Sequence, residues 1–189
     1  VEAIQEVTGL PLQLDTSNPA AMEAALRRYN GKPLVNSVNG KEESLETILP
    51  LVKKYGGGLV CLTLDDEGIP ADAQGRLAIA EKIVRRAEAM GIPRRELLVD
   101  GLTMPVSAGG DNAKVTLETL RRAKEELGVK TALGVSNVSF GLPKREQLNQ
   151  SFFTMALEQG LDGAIINPKS EAMMGAYRAY RALAGLDDQ

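Results

Sequence analysis

The chain alternates short apolar runs with longer stretches in which apolar residues recur every three or four positions. Runs at Leu10–Asp15, Pro33–Asn36, Leu59–Leu64, Leu97–Asp100, Thr131–Asn137 and Ala164–Asn167 lack strict alternation, the mark of a strand buried on both faces. Between them the pattern turns helical. Asn18-Pro19 offers a cap and a first-turn proline, and Met22, Ala25, Leu26 and Tyr29 follow on one face. Leu45, Ile48, Leu49 and Val52 make the next face, closed by Gly56, with Pro50 inside it predicting a kink or a late start. Asp72 opens a long helix through Leu77, Ile83, Val84 and Ala87, and Asp111 or Asn112 opens another through Leu120, Ala123 and Leu127, ended by Gly128. Two more are predicted from Arg145 to Gln159 and from Ser170 to Ala184, and Val1–Thr8 reads as the end of a helix.

Strands that are each followed by a helix imply a parallel sheet. An open doubly wound sheet would carry a Gly-x-Gly-x-x-Gly turn after a strand, and none follows any strand here. The favoured fold class is therefore α/β, a (β/α)8 TIM barrel. Such a barrel runs to roughly 250 residues, so a chain of 189 is expected to lack the first two βα units. Glycines and prolines are dispersed rather than pooled in a linker, so residues 1–189 read as one domain.

Composition narrows the chemistry. A net charge of -3, no basic stripe and 4% aromatic residues argue against a nucleic-acid partner. No apolar run approaches the roughly 20 residues of a membrane span. The single cysteine, Cys61, allows no internal disulfide and fits a reducing compartment, with the cytoplasm expected. The chain has no histidine. That removes Ser-His-Asp triads and imidazole acid–base work, and with one cysteine it leaves no ordinary zinc site, so no metal is expected.

Function in parallel βα folds gathers where strands end. Those positions hold Asp15, Asn36, Asp100, Asn137 and Asn167, with Thr63 on the middle strand. Asp and Asn are common in turns and caps for reasons of their own. A ring of them nonetheless suits a flat, neutral heterocycle. A carboxylate accepts two parallel N–H bonds from an amidine-like edge, and an amide donates and accepts at once. Other motifs read as structural. Gly56-Gly57-Gly58 is a helix stop, Gly109-Gly110 a helix entry, Asp65-Asp66-Glu67 a solvated loop, Cys61 inert core, and Met173, Met174, Tyr177 and Tyr180 packing against the barrel.

Leu14-Asp15-Thr16-Ser17-Asn18, Val35-Asn36-Ser37, Val99-Asp100 and, above all, Gly134-Val135-Ser136-Asn137-Val138-Ser139-Phe140-Gly141-Leu142-Pro143-Lys144-Arg145 carry a resemblance. The chain resembles the pterin-binding methyltransferase family, which contains the folate domain of cobalamin-dependent methionine synthase and the methyltetrahydrofolate:corrinoid methyltransferases. Phe-Gly-Leu-Pro and Ile166-Asn167-Pro168 lean toward the methionine synthase branch.

The resemblance implies a barrel that binds 5-methyltetrahydrofolate at its C-terminal mouth, within methionine biosynthesis and one-carbon metabolism. Asp15, Asn36 and Asp100 would hold the pterin, Asn137 would sit near the methyl-bearing N5, Gly134 would leave room for the ring, and Arg145 and Ile165 would complete the wall. Asn137, with Asp100 behind it, would stabilise protonated N5. The acceptor would be Co(I) of a cobalamin or other corrinoid carried by another domain or protein, since this chain has no histidine to ligate it. An exposed barrel flank would invite a homodimer. Two other readings stay open: a dihydropteroate synthase-like pterin enzyme, although the late Arg-x-His of that family is absent, and a non-catalytic folate-binding module.

Overall fold

In the computed structural model, which describes residues 1–187, six strands form one sheet in strict sequence order and every neighbouring pair is parallel. They are β1 (Gln13–Asp15), β2 (Leu34–Asn39), β3 (Gly58–Leu62), β4 (Leu97–Asp100), β5 (Lys130–Gly134) and β6 (Gly163–Ile165). The helices are α1 (Glu2–Gln5), α2 (Pro19–Arg28), α3 (Glu42–Tyr55), α4 (Ala73–Ala89), α5 (Asn112–Arg122), α6 (Arg145–Glu158) and α7 (Glu171–Leu183). A doubly wound sheet reverses its strand order partway. This one does not, and it is an open part of a barrel with β1 and β6 at its edges.

Local chemistry sets the helix ends. The Asn18 carboxamide accepts from the N–H groups of Ala20 and Ala21, and the Asp72 carboxylate accepts from Gly75 N–H at 2.7 Å. Gly128 ends its helix with φ 62, a left-handed conformation that glycine adopts without strain. The helix before it runs as α5 to Arg122 and then through one π-helical turn, Ala123–Leu127.

Two expectations need correction. Of the kink or late start expected at Pro50, the late start does not occur. The third helix begins at Glu42, and Pro50 sits inside it on the exposed side. The acidic first turn and the buried Leu45, Ile48, Leu49 and Val52 hold the helix across the proline. The fifth strand stops at Gly134 rather than Asn137, because Val135–Ser139 winds into a 3₁₀ turn whose Val135 and Val138 are buried.

Register separates the sheet's faces. Leu14, Val35, Leu59 and Leu97 pair across β1–β4 and pack with Met22, Leu49 and Ile83 of the covering helices. Leu133 joins a second cluster with Leu120, Phe152 and Phe153. Successive strand residues point to opposite faces. The alternate row, Asp15–Asn36–Val60–Leu98, therefore lines the concave face, followed one pleat later by Leu62, Asp100, Ala132 and Gly163, and then by Gly134 and Ile165.

Candidate pterin site

Asp15 and Asn36 are register partners on adjacent strands, so their backbones lie about 4.8 Å apart. Beyond Asn36 the β2–β3 register shifts, with Val38 facing Cys61 and Asn39 facing Leu62. This extra residue turns Asn39 onto the same face as Asn36. Strict alternation from Asn36 puts position 39 on the opposite face, so its place in the site was not legible in the sequence. Lys41 N–H donates to the Asn39 side chain at 3.0 Å. Asp15, Asn36, Asn39 and Leu62 line a cavity of about 390 Å³ together with Thr16 and Ser17.

Two strands further on, about 10 Å from Asn39, stands Asp100. It is 8% exposed, and burial pushes its carboxyl up to about 6 from an ordinary value of 3.8, against the Leu102 N–H and the Arg76 guanidinium. Leu102 N–H donates to its Oδ1 at 2.8 Å.

Arg76 is itself fully buried and donates to the carbonyls of Pro70, Gly101 and Leu102. Sequence reasoning passed over it. The available signal was a charged residue on the apolar face of Ala73, Leu77 and Ala80. Thr63 is spent on structure, its hydroxyl donating to the Asp100 carbonyl at 3.0 Å.

On the far side Gly134 pairs with Ile165 of the edge strand, which is 47% exposed. Asn137 lies on the 3₁₀ turn just beyond. It is exposed, and no hydrogen bond among the described residues engages its carboxamide. A Cβ at Gly134 would come within 3.3 Å of Asn137 Nδ2, so glycine here lets the amide lie close against the strand end.

Arg145 opens α6 and clamps this turn. It donates to Ser139 Oγ at 3.0 Å and to the Ser136 carbonyl at 2.9 Å, with its guanidinium 5.7 Å from the Phe140 ring centre. It lines a second cavity of about 370 Å³ with Ser136, Asn149 and Asn167. Asn167 accepts from Lys169 N–H, the turn role that Asn commonly plays.

Five of the residues read from sequence, Asp15, Asn36, Asp100, Gly134 and Ile165, thus share the concave face, with Asn137 at its rim and Arg145 behind the rim. Asp15 and Asn36 fall in one cavity, and Arg145 lines another. A cavity of similar size at the opposite strand ends, lined by Lys53, Gly91 and Glu96, gathers none of them. Cys61 is buried, and burial pushes its thiol up to about 12, which leaves it unreactive.

A family model described as pterin binding enzyme matches residues 1–167. The chain belongs to the pterin-binding enzyme family.

Among family members, a methylcorrinoid:tetrahydrofolate methyltransferase of Eubacterium limosum is 31% identical over 192 residues, covering 99% of this chain and 70% of that protein. A methionine synthase of Mycobacterium tuberculosis is 34% identical over 171 residues, covering 84% of this chain and 14% of that protein. Among solved structures, a dihydropteroate synthase of Xanthomonas albilineans with 4-aminobenzoic acid superposes with a TM-score of 0.78 at 23% identity, covering 98% of this chain and 72% of that one. The Thermus thermophilus dihydropteroate synthase gives 0.71 at 21%, covering 97% and 78%. These two likenesses establish the fold, a partial TIM barrel. No described helix is long and apolar enough to cross a membrane.

Proposed function

We propose that this pterin-binding chain is a methyltransferase domain that binds 5-methyltetrahydrofolate at its mouth and passes the N5 methyl to a corrinoid carried by another domain or protein. The observation that carries the reading is the register, which sets Asp15, Asn36 and Asp100 on one concave face, with the unengaged amide of Asn137 on the turn that follows the next strand, β5. The Eubacterium relative is named for transfer between the same two partners, written from corrinoid to folate.

In this reading Asp15 and Asn36 grip the polar edge of the pterin. Gly134 lets the ring approach the strand end, and Ile165 with Arg145 closes the wall. The corrinoid, when docked, supplies the cobalt that takes the methyl, and the chain offers no histidine to hold that cobalt itself.

The difficulty at N5 is that a neutral amine leaves poorly. Asp100, pushed up to about 6, exchanges a proton near neutral pH. Asn137 cannot supply a proton, but its carboxamide can turn its oxygen to accept from a protonated N5 and favour that cation; when the methyl departs, the C–N electron pair stays on N5, which keeps the proton as N5–H. The proton consumed at N5 comes ultimately from solvent.

The test is disappearance of cob(I)alamin absorbance with 5-methyltetrahydrofolate and free cob(I)alamin. Folate-dependent loss is expected for the wild-type chain. With saturating folate, Asn137→Ala is expected to lower the turnover rate by about a hundredfold. An unchanged rate would remove Asn137 from the chemistry.

A further inference from the structure

Beside the Asn137 turn lies the cavity of about 370 Å³ that Arg145 shares with Ser136, Asn149 and Asn167. Its walls come from the turn after β5, the first turns of α6 and the loop from β6 into α7. Ile166 and the buried Met173 add an apolar lining, while Arg145 and Asn167 are exposed, so a dissolved ligand reaches it.

The hydrogen bonds around this cavity leave donors over. Lys169 N–H donates to Asn167 Oδ1 at 3.0 Å, and a backbone N–H can only donate, so the oxygen end of that amide is fixed and Nδ2 is the end left free. Asn149 is held in the same sense. Arg145 Nε donates to Ser139 Oγ, which donates to Asn149 Oδ1 at 2.7 Å, and Nδ2 again remains. Arg145 engages the turn through Nε and Nη2, and Nη1 has no partner among the described residues. The one acid on the lining, Glu146, accepts from Ser170 Oγ at 2.8 Å. Two amides and a guanidinium from separate elements therefore offer free donors on one accessible cavity.

We propose that this cavity receives the aminobenzoyl-glutamate arm of the folate, with Asn149 and Asn167 donating to its amide and carboxylate oxygens and Arg145 meeting a carboxylate. This rests on the pterin reading above and extends it from the ring to the arm. The arm is acceptor-rich where the cavity is donor-rich, with a carbonyl and ionised carboxylates, and its aromatic ring suits Ile166 and Met173. Position agrees as well. The arm springs from the ring carbon next to N5, and Ser136, which lines the cavity, is the chain neighbour of Asn137, the residue assigned to N5.

The experiment titrates the full chain by calorimetry with 5-methyltetrahydrofolate and with 5,6-dimethyltetrahydropterin, which keeps the ring and lacks the arm. Asn167→Asp and Asn149→Asp each keep the oxygen that Lys169 N–H or Ser139 Oγ binds and replace the free amino group by an anionic oxygen. Expected for each is a folate Kd weakened about tenfold, with the armless pterin within about twofold of wild type. The loss is expected to persist in about 0.5 M salt, which screens distant charges but not a direct contact. Loss in one variant alone keeps the arm in the cavity and removes the other amide from it, and the two stand on different elements, so a misfolded variant leaves the other to decide. Unchanged folate affinity in both, equal loss for both ligands, loss that salt abolishes, or a wild type that binds the armless pterin as tightly as folate overturns the inference alone. A wild-type chain that takes up neither ligand overturns the pterin reading itself, and this inference with it.

Discussion

Asp100 is a carboxyl placed where its charge is costly, and the sign of the consequence can be worked out. Its folded value is raised, so between pH 3.8 and about 6 the folded chain keeps a proton that the unfolded chain has released. Stability therefore falls as pH rises through that window, by on the order of 3 kcal/mol in total. Asp100→Asn keeps an oxygen for the Leu102 N–H and cannot ionise. It is expected to lack this fall and to exceed wild type at neutral pH while losing folate affinity. Urea unfolding at several pH values checks this, and parallel wild-type and variant profiles would contradict it. Glu23, which Lys54, Tyr55 and Arg27 hold down at about 2 from an ordinary 4.5, adds stability as pH rises to about 4.5 in wild type and variant alike, and so cancels from their difference. The neighbouring Arg76 is expected to behave differently. Arg76→Met strands the buried Gly101 carbonyl and takes a donor from the part-buried Pro70 and Leu102 carbonyls, and should lower stability by about 3 kcal/mol, with Arg76→Lys recovering only part, since an ammonium has no planar fork. Equal urea midpoints for Arg76→Met and wild type would show that the loop after Asp100 does not depend on it.

At the scale of elements, periodicity and caps carried most of the architecture. Asn18 and Asp72 open helices as their residue types require, and the apolar runs fall on the strands. The misses have local causes. Apolar character continues from Leu133 into Val135, so nothing in the pattern marks the strand end except Gly134. Pro50 is outvoted by four buried side chains. The β2 register shift depends on how two strands pair, which no single segment encodes, and so Asn39 stayed hidden. Asp15, Asn36 and Asp100 were legible because Asp or Asn at the end of an apolar run is a local signal. Gly134 couples the strand to the turn. In Gly134→Ala the new methyl meets only the end of an exposed Asn137 side chain, 3.3 Å away, which can swing aside cheaply. Stability is expected to change by less than about 1 kcal/mol, while methyl transfer falls roughly tenfold through the displaced amide. Steady-state kinetics beside a melting curve separates the two, and a variant that loses stability but keeps its turnover rate would reverse the assignment.

Over the described residues, most of the buried apolar side chains fall in two clusters. One lies under β1–β4 with α2–α4, and the other joins β5 and its 3₁₀ turn to α5–α7. Asp15, Asn36 and Asp100 stand on strands of the first, and the Asn137 turn belongs to the second. A ligand that touches all four residues therefore bridges both clusters and should stabilise them together. At a folate concentration about a hundred times Kd the gain is about 2.7 kcal/mol, a midpoint rise on the order of 5–10 °C for a chain of this size. Hydrogen exchange then shows where the gain resides. Saturating 5-methyltetrahydrofolate is expected to slow amide exchange in Asn36–Asn39 and in Val135–Phe140 to a similar degree, although these segments share no strand pairing. Protection confined to Asn36–Asn39 would mean that the ligand sits in the cavity beside Asp15 alone. Asn137 would then be a surface amide beyond the reach of N5, however well the β1–β2 end binds.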